Sequence, residues 1–423
     1  MLDAKMTRRT FAATMGAGAL AALAGCGGGG AEGGDADAAE GNVKIEMVTD
    51  TGGVNDQSFN QLAWAGMKQL EADNGWEVSY IESKQDADYA TNLDKAYDDG
   101  ANLIWGIGFA MAEAVNNAAE QNDDVQFALI DGTNDNGAEN LTGVLFKAQE
   151  PSFAVGYIAA RASKSGKVGF VGGMSSETIQ QFEYGFYAGI EYANKEQGTS
   201  VTYQGQYAES FGDAAKGKSI AQKMIKDGCD VLYHAAGGTG VGMLEACNDA
   251  GVWSIGVDQD QAVLFPDYTT IITSALKKVD EAVVSVSNGI IDGSITGGDN
   301  IILGAAEDAI GIAPTHDVLD TINSDLYNEA LEVIEKIKSG DIVVPDTKDA
   351  LDEYIASLSG NLIRHCQGGV FGRLLFYLTR EGTGFPRDHA LRTLTSADRQ
   401  RCRHITSNKK YRVHASSTGS RRV

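Results

Sequence analysis

The alternation of short apolar runs with longer amphipathic ones, sustained from residue 43 to residue 360, restricts this chain more than any other feature. Val43–Thr49 (VKIEMVT) reads as a strand that ends at Asp50. A Gly/Asn loop follows, then a helix over Ser58–Asn74 whose Phe59, Leu62, Ala63, Met67 and Leu70 share one face. Strand signals recur at 77–81, 103–106, 126–130, 167–172, 202–207, 231–234 and 253–256. Helical patterns separate them, for example at 111–121, 153–163, 179–196, 214–227 and 240–250. Such a rhythm predicts an α/β fold of parallel sheets with helices on both faces. Ligands of such sheets bind beyond the carboxyl ends of the strands. The residues just after each strand therefore matter most.

Those residues make up one polar and aromatic set. Asp50, Asn55, Ser58 and Phe59 follow the first strand, and Asp131 follows the strand ending at Ile130. Phe182 comes after the 167–172 strand and Phe211 after the one ending near Tyr207. Gly238 lies in the glycine-rich run after His234, and Asp258 follows Val257. Lys277 comes after the strand-like stretch Thr269–Ser274. Rings can stack on a flat heterocycle, and carboxylates or a lysine can hold sugar hydroxyls. Taken singly, each has a plainer explanation. Ser58 and Asp258 can be caps, Phe59 and Phe182 can be core, and the glycines can serve tight turns.

Five segments in order carry a resemblance: Val48-Thr49-Asp50-(x4)-Asn55-Asp56-Gln57-Ser58-Phe59-Asn60, Phe182-(x2)-Gly185-Phe186-(x1)-Ala188-Gly189, Ala235-Ala236-Gly237-Gly238-Thr239-Gly240, Gly256-Val257-Asp258-Gln259-Asp260 and Thr273-Ser274-(x2)-Lys277. Together they resemble the basic membrane protein family, lipid-anchored substrate-binding proteins of ABC importers, several of which bind purine nucleosides. The resemblance covers about 43–360. It implies a type I periplasmic-binding-protein fold: two Rossmann-like lobes, three crossovers, a hinge and a ligand cleft between the lobes. Lobe one is then expected over 43–147 plus 275–308, and lobe two over 148–274 plus 309–360. The resemblance puts Phe59 on the base, Asp131 on its edge, Asp258 and Lys277 on the ribose hydroxyls, and Asp50 and Asn55 along the lobe-one side. For a second stacking ring Phe211, Phe182 and His234 compete. The implied partners are a purine nucleoside and the permease and ATPase subunits of a transporter. The protein is expected to be a monomer that performs no chemistry and needs no cofactor or metal. A sensor lipoprotein with the same cleft is the alternative.

Charge divides the chain further. It carries 34 Lys+Arg against 58 Asp+Glu, a net −24, which argues against a nucleic-acid partner. Residues 43–360 hold 18 basic and 50 acidic residues, whereas 361–423 hold 13 basic and three acidic ones. The 361–423 tail is arginine-rich and shows no helical or strand period, so it reads as a frameshift or readthrough product, or else as a basic appendage. At the other end, Arg8-Arg9-Thr10-Phe11 precedes a short apolar run ending in Leu23-Ala24-Gly25-Cys26. This pattern, over 1–26, resembles a twin-arginine signal with a lipobox. It implies lipidation at Cys26 and anchoring on the outer face of the cell membrane. Residues 27–42 contain only Gly, Ala, Asp, Glu and Asn, a composition that reads as a flexible tether.

One motif points elsewhere. Gly212-Asp213-Ala214-Ala215-Lys216-Gly217-Lys218-Ser219 matches the G-x4-G-K-S phosphate-binding pattern after a strand. It would suit an ATP-dependent enzyme, or simply a polar loop with Asp213 as an N-cap. His234 and His316 are far apart and lack metal-ligand spacing. Cys229 and Cys247 can be a disulfide in an oxidising space or two buried thiols.

Overall fold

The computed structural model describes residues 43–314 and 318–358. The expected leader with Cys26, the tether 27–42, the tail 361–423 and His316 lie outside the described residues. The described strands are β1 (Lys44–Thr49), β2 (Glu77–Ile81), β3 (Leu103–Ile107), β4 (Gln126–Ile130), β5 (Leu141–Phe146), β6 (Lys167–Gly172), β7 (Thr202–Tyr207), β8 (Val231–Ala235), β9 (Trp253–Asp258), β10 (Ile271–Lys277), β11 (Asn300–Leu303) and β12 (Ile310–Ile312). They form two six-stranded sheets, one ordered β11-β5-β4-β3-β1-β2 and the other β12-β10-β9-β8-β6-β7. The pairs are parallel except β10 with β12, which is antiparallel. Each sheet with its helices is a lobe. The fold is the α/β architecture of two largely parallel sheets that the alternation predicts.

The middle strands explain themselves chemically. Every residue of β3 (LIWGI) and of β8 (VLYHA) is buried, as strands covered by helices on both faces must be. Between β5 and β6, the helix Gln149–Ala162 packs on the helix Glu177–Gln197. Their approach depends on two glycines of the second helix. A Cβ at Gly189 would lie 2.0 Å from the Phe153 carbonyl oxygen, and one at Gly185 would lie 2.2 Å from that of Gln149.

Among the described residues the chain passes between the sheets three times: after β5, after β10 and after β11. The return after β10 is firmly anchored. The helix Val279–Ile291 packs on the helix Phe59–Asn74 of the first lobe. There Trp105 Nε1 of β3 donates to Ser287 Oγ at 3.0 Å. The expected boundary at 274/275 falls inside β10, all of whose residues belong to the second sheet. Lys277 is thus the last residue of a strand and not a loop residue. β5, β11 and β12 carry no label in the sequence reading. β11 and β12 have four and three residues, too few for a period of two to declare itself.

Candidate functional site

A cleft opens where the carboxyl ends of the two sets of strands face each other, the place where α/β sheets bind small molecules. Lobe one lines it with Asp50 after β1, Asp56, Phe59 and Asn60 at the start of the following helix, Gly108 and Phe109 after β3, and Asp131 after β4. Lobe two contributes Thr178, Ile179 and Phe182 of its helix Glu177–Gln197, and Phe211 after β7. Ala235–Gly237, Val257, Asp258 and Lys277 complete it from the ends of β8, β9 and β10.

The polar groups are held by the chain itself. Asp56 is a helix cap: its Oδ1 accepts from the backbone N–H of Ser58 at 2.9 Å and of Gln61 at 3.1 Å. Its Oδ2 accepts from Asn60 N at 2.9 Å and Asn60 Nδ2 at 3.0 Å. These bonds occupy donors that a helix start leaves open. Asp50 Oδ1 accepts from Gly52 N at 2.8 Å and from Asn60 Nδ2 at 2.9 Å. Gly108 makes room for this carboxylate. A Cβ there would lie 2.9 Å from Asp50 Oδ2.

Two side-chain to side-chain bonds cross the cleft. Lys277 of lobe two donates to Asp131 Oδ2 of lobe one, and Ser58 of lobe one donates to Asp258 Oδ2 of lobe two. Lys277 is 1% exposed. Its ammonium lies 4.7, 4.9 and 5.8 Å from the ring centroids of Phe59, Phe146 and Phe182, an aromatic cage with one carboxylate in it. Asp131 and Asp258 both have positive φ, +61° and +66°. Aspartate tolerates this left-handed backbone better than most residues, and such strain collects at functional sites. Burial pushes Asp50 up to about 6 against the hydrogen bonds from Gly52 and Asn60. It pushes Asp258 up to about 6 as well, against Lys277 and Ser58. Burial likewise raises Asp56. Four carboxylates thus share the cleft with one lysine.

Of the residues singled out in the sequence, Asp50, Phe59, Asp131, Phe182, Phe211, Asp258 and Lys277 meet in the cleft wall. Ser58 stands just behind it, fully buried on Asp258. Asn55 does not take part. It is exposed, because the loop turns Val54 and Asp56 inward and leaves Asn55 facing out. Gly238 lies one residue beyond the lining Gly237, inside the helix Gly237–Ala250, where its missing side chain clears the Phe211 carbonyl. His234 is no stacking ring. It is fully buried, its Nε2 lies 2.8 Å from Gln261 Oε1, and burial lowers it to about 4. Asp56, Asn60, Gly108 and Phe109 were not singled out as site residues. Phe109 was accessible to the same strand-end rule, applied one residue beyond β3 and Gly108.

Over residues 43–348 the sequence matches the family of ABC transporter substrate-binding proteins described as PnrA-like, or Bmp. The chain belongs to this family. A CD4+ T-cell-stimulating antigen of Listeria monocytogenes is 39% identical over 71% of this chain and 88% of its own length. The ABC transporter nucleoside-binding protein BmpA of Lactococcus lactis is 34% identical over 77% of this chain and 95% of its own. A solved ABC transporter solute-binding protein from Aeropyrum pernix superposes with a TM-score of 0.68 at 29% identity, over 75% of this chain and 98% of that one. The fold and the family are therefore those of a substrate-binding protein.

Within this family member the G-x4-G-K-S segment is part of a helix, not a phosphate loop. Asp213 caps Ala214–Lys226, its side chain accepting from Lys216 N at 2.9 Å. Gly217 and Lys218 thus lie inside the helix, with their backbone N–H groups committed. A Cβ at Gly217 would lie 1.9 Å from the Thr239 carbonyl oxygen, so the glycine serves helix packing. Lys218 Nζ is turned to Glu245 at 2.9 Å and Asp249 at 2.8 Å. Cys229 and Cys247 are buried free thiols. No helix among the described residues is long and apolar enough to cross a membrane.

Proposed function

We propose that the protein is an extracytoplasmic solute-binding lipoprotein of an ABC importer, which binds a purine nucleoside between its lobes and delivers it to the permease. The observation that carries this reading is the make-up of the cleft: aromatic rings from both lobes beside a buried set of hydrogen-bonding groups. Phe59 and Phe211 are only half-buried and stand on opposite lobes, whereas Phe182 is 3% exposed. A planar base stacks between the two accessible rings. Phe182 then packs beside the Lys277 ammonium. Asp258 and Lys277 take ribose hydroxyls through charge-assisted bonds, and Asp131 takes the base edge. The nucleoside-binding name of the Lactococcus relative supports the ligand class. Binding closes the lobes by hinge motion at the three crossovers, and the closed form is what the permease recognises. Cys26 carries the acyl chains that keep the protein at the membrane surface.

Calorimetry of the full chain with guanosine, inosine, adenosine and ATP tests this reading. Heat is expected from the nucleosides and none from ATP. Binding of a sugar with no heat from any nucleoside would sink the ligand while leaving the class intact. Radiolabelled acyl chains should be incorporated by the wild type and not by Cys26→Ser; equal labelling removes the anchor.

A further inference from the structure

Gln261 is fully buried and belongs to lobe two, yet its side chain ends on lobe one. It opens the short helix Gln261–Leu264 after β9, and its backbone N–H donates to Ser274 Oγ of β10 at 3.1 Å. The side-chain amide is held at both ends. Oε1 accepts from the Val257 N–H at 3.1 Å and lies 2.8 Å from His234 Nε2. A backbone N–H can only donate, so this branch of the amide is the oxygen. The other branch is then the nitrogen, and Nε2 donates to the Gln57 carbonyl oxygen of lobe one at 3.0 Å. The same network assigns the histidine. An amide oxygen has no proton to give, so His234 Nε2 carries the proton and Nδ1 is bare. Nδ1 has no hydrogen-bond partner among the described residues. It lies against Gly240, where a Cβ would stand 1.9 Å from it. Burial lowers His234 to about 4, which keeps the ring neutral. Gly256 clears the glutamine in the same way, since a Cβ there would lie 2.7 Å from Gln261 Oε1. On lobe one, Gln57 has a φ of +56°, backbone that residues other than glycine rarely adopt. Gln57, His234 and Gln261 are not among the residues that line the cleft.

We propose that Gln261 is a positioning residue that latches the closed lobes, with His234 setting its amide so that the nitrogen faces Gln57. The proposal deepens the nucleoside reading and rests on it for closure around a ligand. The bonds of Gln261 to Ser274, Val257 and His234 all lie within lobe two and survive when the lobes part. Only the bond to Gln57 joins the lobes, so opening breaks that one alone. The latch therefore sets how long the ligand is held and not how fast it enters.

Gln261→Glu tests this. It keeps an oxygen toward Val257 and His234 and replaces the nitrogen by a second oxygen, which sets acceptor against acceptor at Gln57. Calorimetry of the full chain with guanosine should show an affinity loss of at least about tenfold. Stopped-flow fluorescence should place that loss in faster dissociation, with association within about threefold of the wild type. The melting temperature without ligand should stay within about 3 °C of the wild type. Unchanged affinity would overturn the proposal. So would an affinity loss matched by a larger fall in the unliganded melting temperature, the mark of a residue that merely braces lobe two. If Gln261→Glu does not fold, the proton–nitrogen correlation spectrum of the wild-type His234 ring decides. A proton on Nε2 is expected. A proton on Nδ1 would reverse the amide, turn its oxygen to the Gln57 carbonyl and overturn the latch. No heat from guanosine with the wild type would overturn the nucleoside reading, and the spectrum would still judge the latch.

Discussion

The two lobes repeat one plan and then diverge in chemistry. Their strand orders superimpose term by term, β2 on β7, β1 on β6, β3 on β8, β4 on β9, β5 on β10 and β11 on β12. Asp131 after β4 and Asp258 at the end of β9 are therefore equivalent, and both adopt left-handed backbone at +61° and +66°. Phe59 and Phe182 stand on equivalent helices, those after β1 and β6. Each aspartate takes a donor from the opposite lobe, Lys277 or Ser58. The divergence lies elsewhere. β5 ends in Phe146 and its counterpart β10 ends in Lys277. After β1 comes Asp50, while after β6 comes Gly173, whose missing side chain leaves space for the Phe211 ring, 2.2 Å from where a Cβ would stand. A shared backbone thus presents three carboxylates and two rings on one side, and two rings, one carboxylate and the lysine on the other. The repeated scaffold supplies positions at strand ends, and single side chains decide what each position does.

The largest effect expected from breaking this contrast is at β10. Lys277→Met leaves Asp131 buried without its cation, and unfolding in urea should show a loss of about 3–5 kcal/mol. The equivalent change on lobe one, Phe146→Leu, keeps the interior apolar and should cost less than about 1.5 kcal/mol. Equal losses would mean that the two strand ends are not chemically distinct. Next come the anchors of the cleft. Phe59→Ala, Phe211→Ala and Asp258→Ala should each weaken nucleoside binding by about 2–4 kcal/mol in calorimetry, whereas Phe182→Leu should change it by less than about 1 kcal/mol. A greater loss at Phe182 than at Phe211 would transfer the second stacking ring to the helix equivalent to that of Phe59.

A smaller effect follows from pH. Burial raises Asp50 and Asp258 from ordinary carboxylate values to about 6. Their folded values thus exceed their unfolded ones, so the folded state binds protons more readily near pH 6. Their contribution to stability is complete below the unfolded value and is lost as pH rises through about 6. Melting temperature should therefore rise by a few degrees between pH 7.5 and pH 5. Asp50→Asn should flatten that slope, and an unchanged slope would show that Asp50 does not carry it. The smallest effect belongs to the phosphate-loop lookalike. Lys218→Ala should leave nucleoside affinity unchanged, and equilibrium dialysis should detect no ATP on either protein.

Much of this arrangement could be read from residue order. Asp50, Asp131 and Asp258 were found because a parallel strand that ends at a cleft places its next residue there. Asn55 and Asp56 show the limit. Both are short polar residues in one turn, and only the capping bonds of Asp56 decide which faces inward. His234 misleads for a related reason. It is the last residue but one of the buried strand β8, and its ring pairs with Gln261 outside the cleft lining. Phe182 and Phe211 remained level contenders because burial, which separates them, arises from packing between helices.

What the sequence determined by itself is local: apolar periodicity and the strand ends. Neighbouring residues impose these through backbone sterics and patterning. Only the tertiary structure decided which charges share a site. Lys277 and Asp131 are 146 residues apart and Ser58 and Asp258 are 200 apart. No local preference couples such pairs. They meet because three passes between the sheets bring one lobe's strand ends against the other's, and in that dry cleft each charge needs the partner that the opposite lobe supplies.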